Sequence, residues 1–99
     1  MTGTSRSSDG LDPRRRKLLF RSWHRGIREM DLIMGRFADE WIERMSEAEL
    51  DEYERLMEVP DPDLFSWIIG EQNPPQGYDA ALLNRLRTFH LELAREGKV

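Results

Sequence analysis

The chain has no cysteine, which excludes disulfides, thiolate metal ligation and cysteine nucleophiles together. No apolar run approaches the roughly 18 residues that a membrane helix requires, and nothing reads as a secretory signal. A soluble, intracellular protein without membrane insertion is expected. Histidine is scarce: His24 and His90 fall on different predicted helices and in no metal-ligand spacing. Asp61-Pro62-Asp63 opens like a calcium loop, but its sixth and twelfth places hold Ser66 and Gln72, where a glycine and a carboxylate are needed. Neither a glycine-rich phosphate loop nor strand-like alternation appears. With no catalytic set, no bound metal and no stably held cofactor expected, the chain does not read as an enzyme.

What is present is one ordinary domain's length, 99 residues, with an uneven charge. Residues 1–30 carry eight Lys/Arg against three Asp/Glu, whereas the remainder is strongly acidic, and the net charge is −4. Such a split suits a nucleic-acid arm or a bipolar contact surface.

The pattern is helical throughout. Residues 1–11, rich in Ser, Thr and Gly, are expected as a disordered tail ahead of a single helical domain over 12–96. Asp12-Pro13 is a helix start, with a capping carboxylate and a proline where its missing N–H is harmless. That helix should reach about Arg25, with Arg14, Lys17, Arg21 and Arg25 on one stripe and Leu19, Phe20 and Trp23 opposite. From about Arg28 to Met45, Met30, Met34, Phe37, Trp41 and Met45 recur at spacings of 4, 3, 4 and 4, joined by Ile33 and Ile42, which predicts the central helix. Gly35 inside it suggests close approach by a neighbouring helix.

Ser46-Glu47-Ala48-Glu49 is a capping box opening a third helix, with Leu50, Tyr53, Leu56 and Met57 inward. Pro60 ends it. Asp61-Pro62 repeats the first start and opens a short fourth helix, with Leu64, Phe65, Ile68 and Ile69 inward and Gly70 closing it. Asn73-Pro74-Pro75-Gln76-Gly77 is a loop, and Asp79 caps a last helix built on Leu82, Leu83, Leu86, Phe89, His90 and Leu93. The fold class is all-α, a small bundle of five helices.

Gly26 breaks the first two helices apart. A glycine past a helix end takes positive φ without a Cβ clash, and Arg25 and Glu29 each suit their end of the helix dipole. The corner should therefore display an arginine, bare backbone and a carboxylate to solvent. The competing reading is a well-made junction and nothing more. The basic stripe on the first helix is either a phosphate-binding face or a salt-bridged one, and the acidic whole, with a sequence pI near 5.2, disfavours nucleic acid. Glu40–Arg44 and Asp51–Arg55 have spacings suited to solubilising ion pairs. Trp23, Trp41 and Trp67 could stack on a flavin, but each sits at core spacing.

Arg25-Gly26-Ile27-Arg28-Glu29-Met30-Asp31 resembles the Arg-Gly-x-x-Glu signature of the SdhE family, the FAD assembly factors of succinate dehydrogenase and fumarate reductase. Asp61-Pro62-Asp63-Leu64-Phe65-Ser66-Trp67 resembles a second segment of that family, and the similarity in order and spacing covers roughly Arg14 to Leu93. The resemblance implies a five-helix protein of the bacterial cytoplasm, and the all-round polar exterior favours a monomer when free. It would bind the flavoprotein subunit and promote covalent attachment of FAD, which is the partner's cofactor rather than its own. By carry-over, Arg25, Gly26 and Glu29 would contact that partner, with Arg28 and Asp31 flanking them. The alternative is a small helical regulatory or nucleic-acid-binding protein acting through the basic first helix.

Overall fold

Residues 9–97 are described by a computed structural model, and they form five α-helices with no strand among them. Helix α1 spans Pro13–Trp23, α2 Arg28–Trp41, α3 Glu47–Met57, α4 Asp61–Ile69 and α5 Ala80–Arg95, and a 3₁₀ turn, Ile42–Arg44, continues α2. The expected tail lies mostly outside the described residues. Leu11 at its end is buried in the core.

The helix starts are chemically marked. Asp12 accepts from the backbone N–H of Arg15 ahead of Pro13, and Ser46 and Glu49 satisfy each other's backbone N–H groups at 3.1 and 2.9 Å. Asp79 accepts from Ala81 and Leu82. Helix α2 fills the centre: Met30, Ile33, Met34, Phe37 and Ala38 are wholly buried. Helix α1 lies against it so closely that a Cβ on Gly35 would stand 2.3 Å from the Trp23 ring. The opposite flank of α2 meets α5, where Phe37 and Phe89 pack edge to face at 5.6 Å. Helices α4 and α5 are tied by the Arg87 guanidinium, which donates to the Trp67 carbonyl at 2.7 Å.

One buried polar network joins the first three helices. Ser22 donates to the Leu18 carbonyl at 2.7 Å, which leaves the Tyr53 hydroxyl to donate to Ser22 Oγ at 2.6 Å, with the Met34 carbonyl 3.3 Å away. Burial pushes the Tyr53 hydroxyl pKa well up, so it stays protonated and keeps its donor role.

Four expectations need correction. Helix α1 stops at Trp23 rather than about Arg25: the His24 N–H still bonds the Arg21 carbonyl, but the N–H groups of Arg25 and Gly26 turn to a different acceptor, Asp31. Helix α2 gives way to the 3₁₀ turn after Trp41, though Met45 remains buried. Phe20 and Ile69, expected inward, are 63% and 37% exposed. Helix α4 begins at Asp61 itself, with no side-chain cap, since that carboxylate is used elsewhere. The surface pairs also differ: Asp51 meets Arg14, Arg55 meets Glu52, and the Arg44 guanidinium lies 4.9 Å over the Trp41 ring.

Candidate functional site

The corner between α1 and α2 divides into an inner half and an outer half. Arg25 belongs to the inner half, which corrects the expectation that it is displayed. Its side chain is only 8% exposed, and its guanidinium is fully engaged within the chain. Nε and Nη2 both reach Asp61 Oδ1 at 2.7 Å, Nη1 donates to the Met57 carbonyl at 2.6 Å, and Nη2 donates to the Val59 carbonyl at 2.7 Å. Those carbonyls sit where α3 ends and the chain turns into α4, so one arginine satisfies acceptors that the helix end leaves open. Asp61 comes from the Asp-Pro-Asp-Leu-Phe segment. The two stretches that carry the resemblance are therefore bolted together by a largely buried ion pair.

Asp31 is also inward-working. Its Oδ1 accepts from the backbone N–H of Arg25 at 2.6 Å and of Gly26 at 3.2 Å. It folds the bend back onto the first turn of α2, where its negative charge also suits the helix dipole.

The outer half faces solvent. Gly26 has φ +119°, a conformation that strains any side-chain-bearing residue, and the space where its Cβ would lie is open. Ile27 is 43% exposed, and Arg28 and Glu29 are exposed beside it. Bare backbone, an aliphatic side chain and two opposite charges thus sit on a bend whose shape is fixed from behind. Next to it lies a shallow polar concavity of about 310 Å³, lined by Arg21, His24, Arg25, Met57, Pro60 and Asp61 among others. Such a surface can grip a partner's backbone and polar groups.

The arginine stripe of α1 packs onto acidic α3. Arg14 pairs with Glu47, Asp51 and Glu54 at 2.9, 2.5 and 2.7 Å, and Arg21 pairs with Glu58 at 2.6 Å. The charge-assisted bonds from Glu54 and Asp51 raise the Arg14 pKa further. With Arg25 held by Asp61, three of the four stripe cations are answered internally, so the nucleic-acid reading loses the charges it relied on. Arg15, which the sequence did not single out, binds Asp12 at 2.7 Å and the carbonyls of Ile42 and Met45.

The tryptophans are structural in their contacts. Trp23 and Trp67 are buried, and Trp23 Nε1 donates to Asp39 at 3.1 Å. Half-buried Trp41 lines a groove between α2 and α5 with the guanidiniums of Arg85 and Arg44 over its ring. Among the described residues no group of three His, Asp or Glu side chains is placed to hold a metal ion. No described helix is long and apolar enough to cross a membrane.

Sequence reading missed two participants here. Asp61 reads as a helix cap, and nothing local reveals that an arginine 36 positions away needs it. Phe20 sits at core spacing, and only the rotation of α1 in the fold puts it outside.

Residues 16–90 match the Sdh5 family, described as flavinator of succinate dehydrogenase. The "FAD assembly factor SdhE" of Acetobacter pasteurianus is 36% identical over 80 residues, which is 81% of this chain and 73% of that protein. The mitochondrial succinate dehydrogenase assembly factor 2 of Dictyostelium discoideum is 37% identical over 73 residues, 74% of this chain and 52% of the relative. The counterpart in Danio rerio is 33% identical over 86 residues, 85% and 54% respectively. The chain thus spans about half the length of these mitochondrial relatives.

Proposed function

The chain belongs to the Sdh5 family, and from that premise we propose that it is an assembly factor for the flavoprotein subunit of succinate dehydrogenase or fumarate reductase. It binds that subunit and promotes covalent attachment of FAD without being the catalyst. FAD remains the partner's cofactor and is not held stably here. The chain works in the bacterial cytoplasm as a monomer when free, and it binds no nucleic acid.

The observation that carries this reading is the corner's construction: Gly26, Ile27, Arg28 and Glu29 are exposed on a bend locked by Arg25–Asp61 and Asp31. A pre-shaped contact loses little conformational entropy on docking. The glycine lets a partner's backbone approach, and the flanking charges fix orientation through charge-assisted hydrogen bonds. Docking there selects the flavoprotein conformation in which self-catalysed flavinylation proceeds, by binding it more tightly than the others. Arg25 and Asp31 act in this scheme by holding the contact's shape.

Glu29→Ala is the informative variant, because the side chain is exposed and its removal should alter stability by less than about 0.5 kcal/mol. Gly26→Arg would also strain the backbone. Covalent FAD on the flavoprotein is the readout. It should fall at least about tenfold with Glu29→Ala at equal, sub-saturating concentration, and wild-type levels would refute the docking account.

A further inference from the structure

The outer face of α1 carries a strip that the corner leaves unused. Lys17, Phe20 and His24 follow at spacings of 3 and 4, so they share one stripe, and Arg16 lies beside them; all four are exposed. Phe20 has the highest exposure of the large hydrophobic residues described, 63%. Its ring is nonetheless held. It stacks on His24 with centroids 4.0 Å apart and planes 16° from parallel, and His24 Nδ1 lies 2.7 Å from the Phe20 carbonyl oxygen. Past the bend, Ile27 and Arg28 are exposed as well. None of these positions is acidic. The neighbouring stripe differs, since ion pairs claim Arg14, Arg21 and Arg25.

We infer that this strip is a second contact with the same flavoprotein, whose matching surface is acidic around an apolar socket that receives the Phe20 ring. The inference rests on the docking reading and extends it from the corner along the whole of α1. A fixed aromatic ring amid cations has the make-up of an interface anchor: the ring supplies buried area at low entropy cost, and the charges steer encounter with an acidic surface. A nucleic-acid partner is disfavoured because His24 already covers one face of the ring, and because the chain as a whole carries a net charge of −4.

The test titrates the full chain against the purified flavoprotein subunit by calorimetry at low and high salt, using Phe20→Ala and the double variant Arg16→Glu/Lys17→Glu. Both alter exposed side chains, and helical circular dichroism confirms the fold. Phe20→Ala should weaken binding about tenfold or more at either salt. The charge reversal should weaken it about tenfold at low salt and much less at high salt. The concentration of chain giving half-maximal covalent FAD should rise by the same factors. Affinities within about twofold of wild type for both variants overturn this inference and leave the corner to its own Glu29→Ala test. A wild-type chain that does not bind the flavoprotein overturns both. Binding of duplex DNA or transfer RNA at physiological salt, abolished by the same variants, overturns the assignment to a protein partner.

Discussion

Helix α1 presents cations on two stripes, and the fold treats them in opposite ways. Arg14, Arg21 and Arg25 lean over α3 and the α3–α4 turn, where Glu47, Asp51, Glu54, Glu58 and Asp61 answer them. Arg16 and Lys17, on the same turns of the same helix, are exposed on the outer side with Phe20. Helical periodicity alone groups Lys17 with Arg14, Arg21 and Arg25 and sends Phe20 to the core side. The position of one neighbouring helix decides which cations are spent on cohesion and which are left for a partner. The inner stripe is itself graded: Arg25 is buried with its acid, whereas Arg14 pairs with exposed acids in reach of solvent.

That grading can be broken first at its strongest point. Arg25→Ala should destabilise the fold by about 3–5 kcal/mol in chemical denaturation, since it strands the Asp61 carboxylate and the Met57 and Val59 carbonyls with their donors gone. Glu29→Ala, four residues away, should leave the denaturation midpoint nearly unmoved. Equal losses in the two variants would abolish the distinction between inner and outer halves of the corner.

The two stripes keep their identities only while α1 holds one rotation against α2, and Gly35 sets that contact. Gly35→Ala should cost about 1–3 kcal/mol, because the new methyl would overlap the Trp23 ring and force the helices apart. Hydrogen exchange in α1 should accelerate accordingly. Arg14→Ala should lower stability only slightly, and less in high salt, because Glu47 and Asp51 are exposed and screened and Glu54 is half-buried.

A smaller effect sharpens the electrostatic side. The backbone N–H of Ser46, and then Arg85, hold the Glu49 carboxyl below its ordinary value of 4.5, and the Arg15 side chain holds Asp12 below 3.8. A carboxylate whose pKa is depressed by folding adds stability above its unfolded value and loses it as pH falls through the folded one. Melting temperature should thus hold down to the ordinary carboxylate range and decline below it, and Glu49→Gln should narrow its deficit against wild type as the medium is acidified.

Much of this molecule was legible before any coordinates. Caps at Asp12, Ser46 and Asp79 and the left-handed Gly70 were readable because each depends on residues within four positions. The apolar rhythm of α2 marked the central helix because one face must be buried along its whole length. Gly35 signalled a close neighbour without saying which. The partner of Arg25 was invisible, since a buried ion pair across 36 positions leaves no local spacing to read.

By itself, the sequence determined the five helices, the caps of α1, α3 and α5, the central role of α2 and the glycine bend, because these follow from short-range hydrogen bonding and the period of apolar residues. Tertiary structure alone decided that Arg25 and Asp31 turn inward while Gly26 to Glu29 face out, and that Phe20 leaves the core. The reason is geometric. Which cation meets an acid, and which side chain meets solvent, depends on where α3 and the start of α4 come to rest against α1, a long-range arrangement that no local pattern encodes.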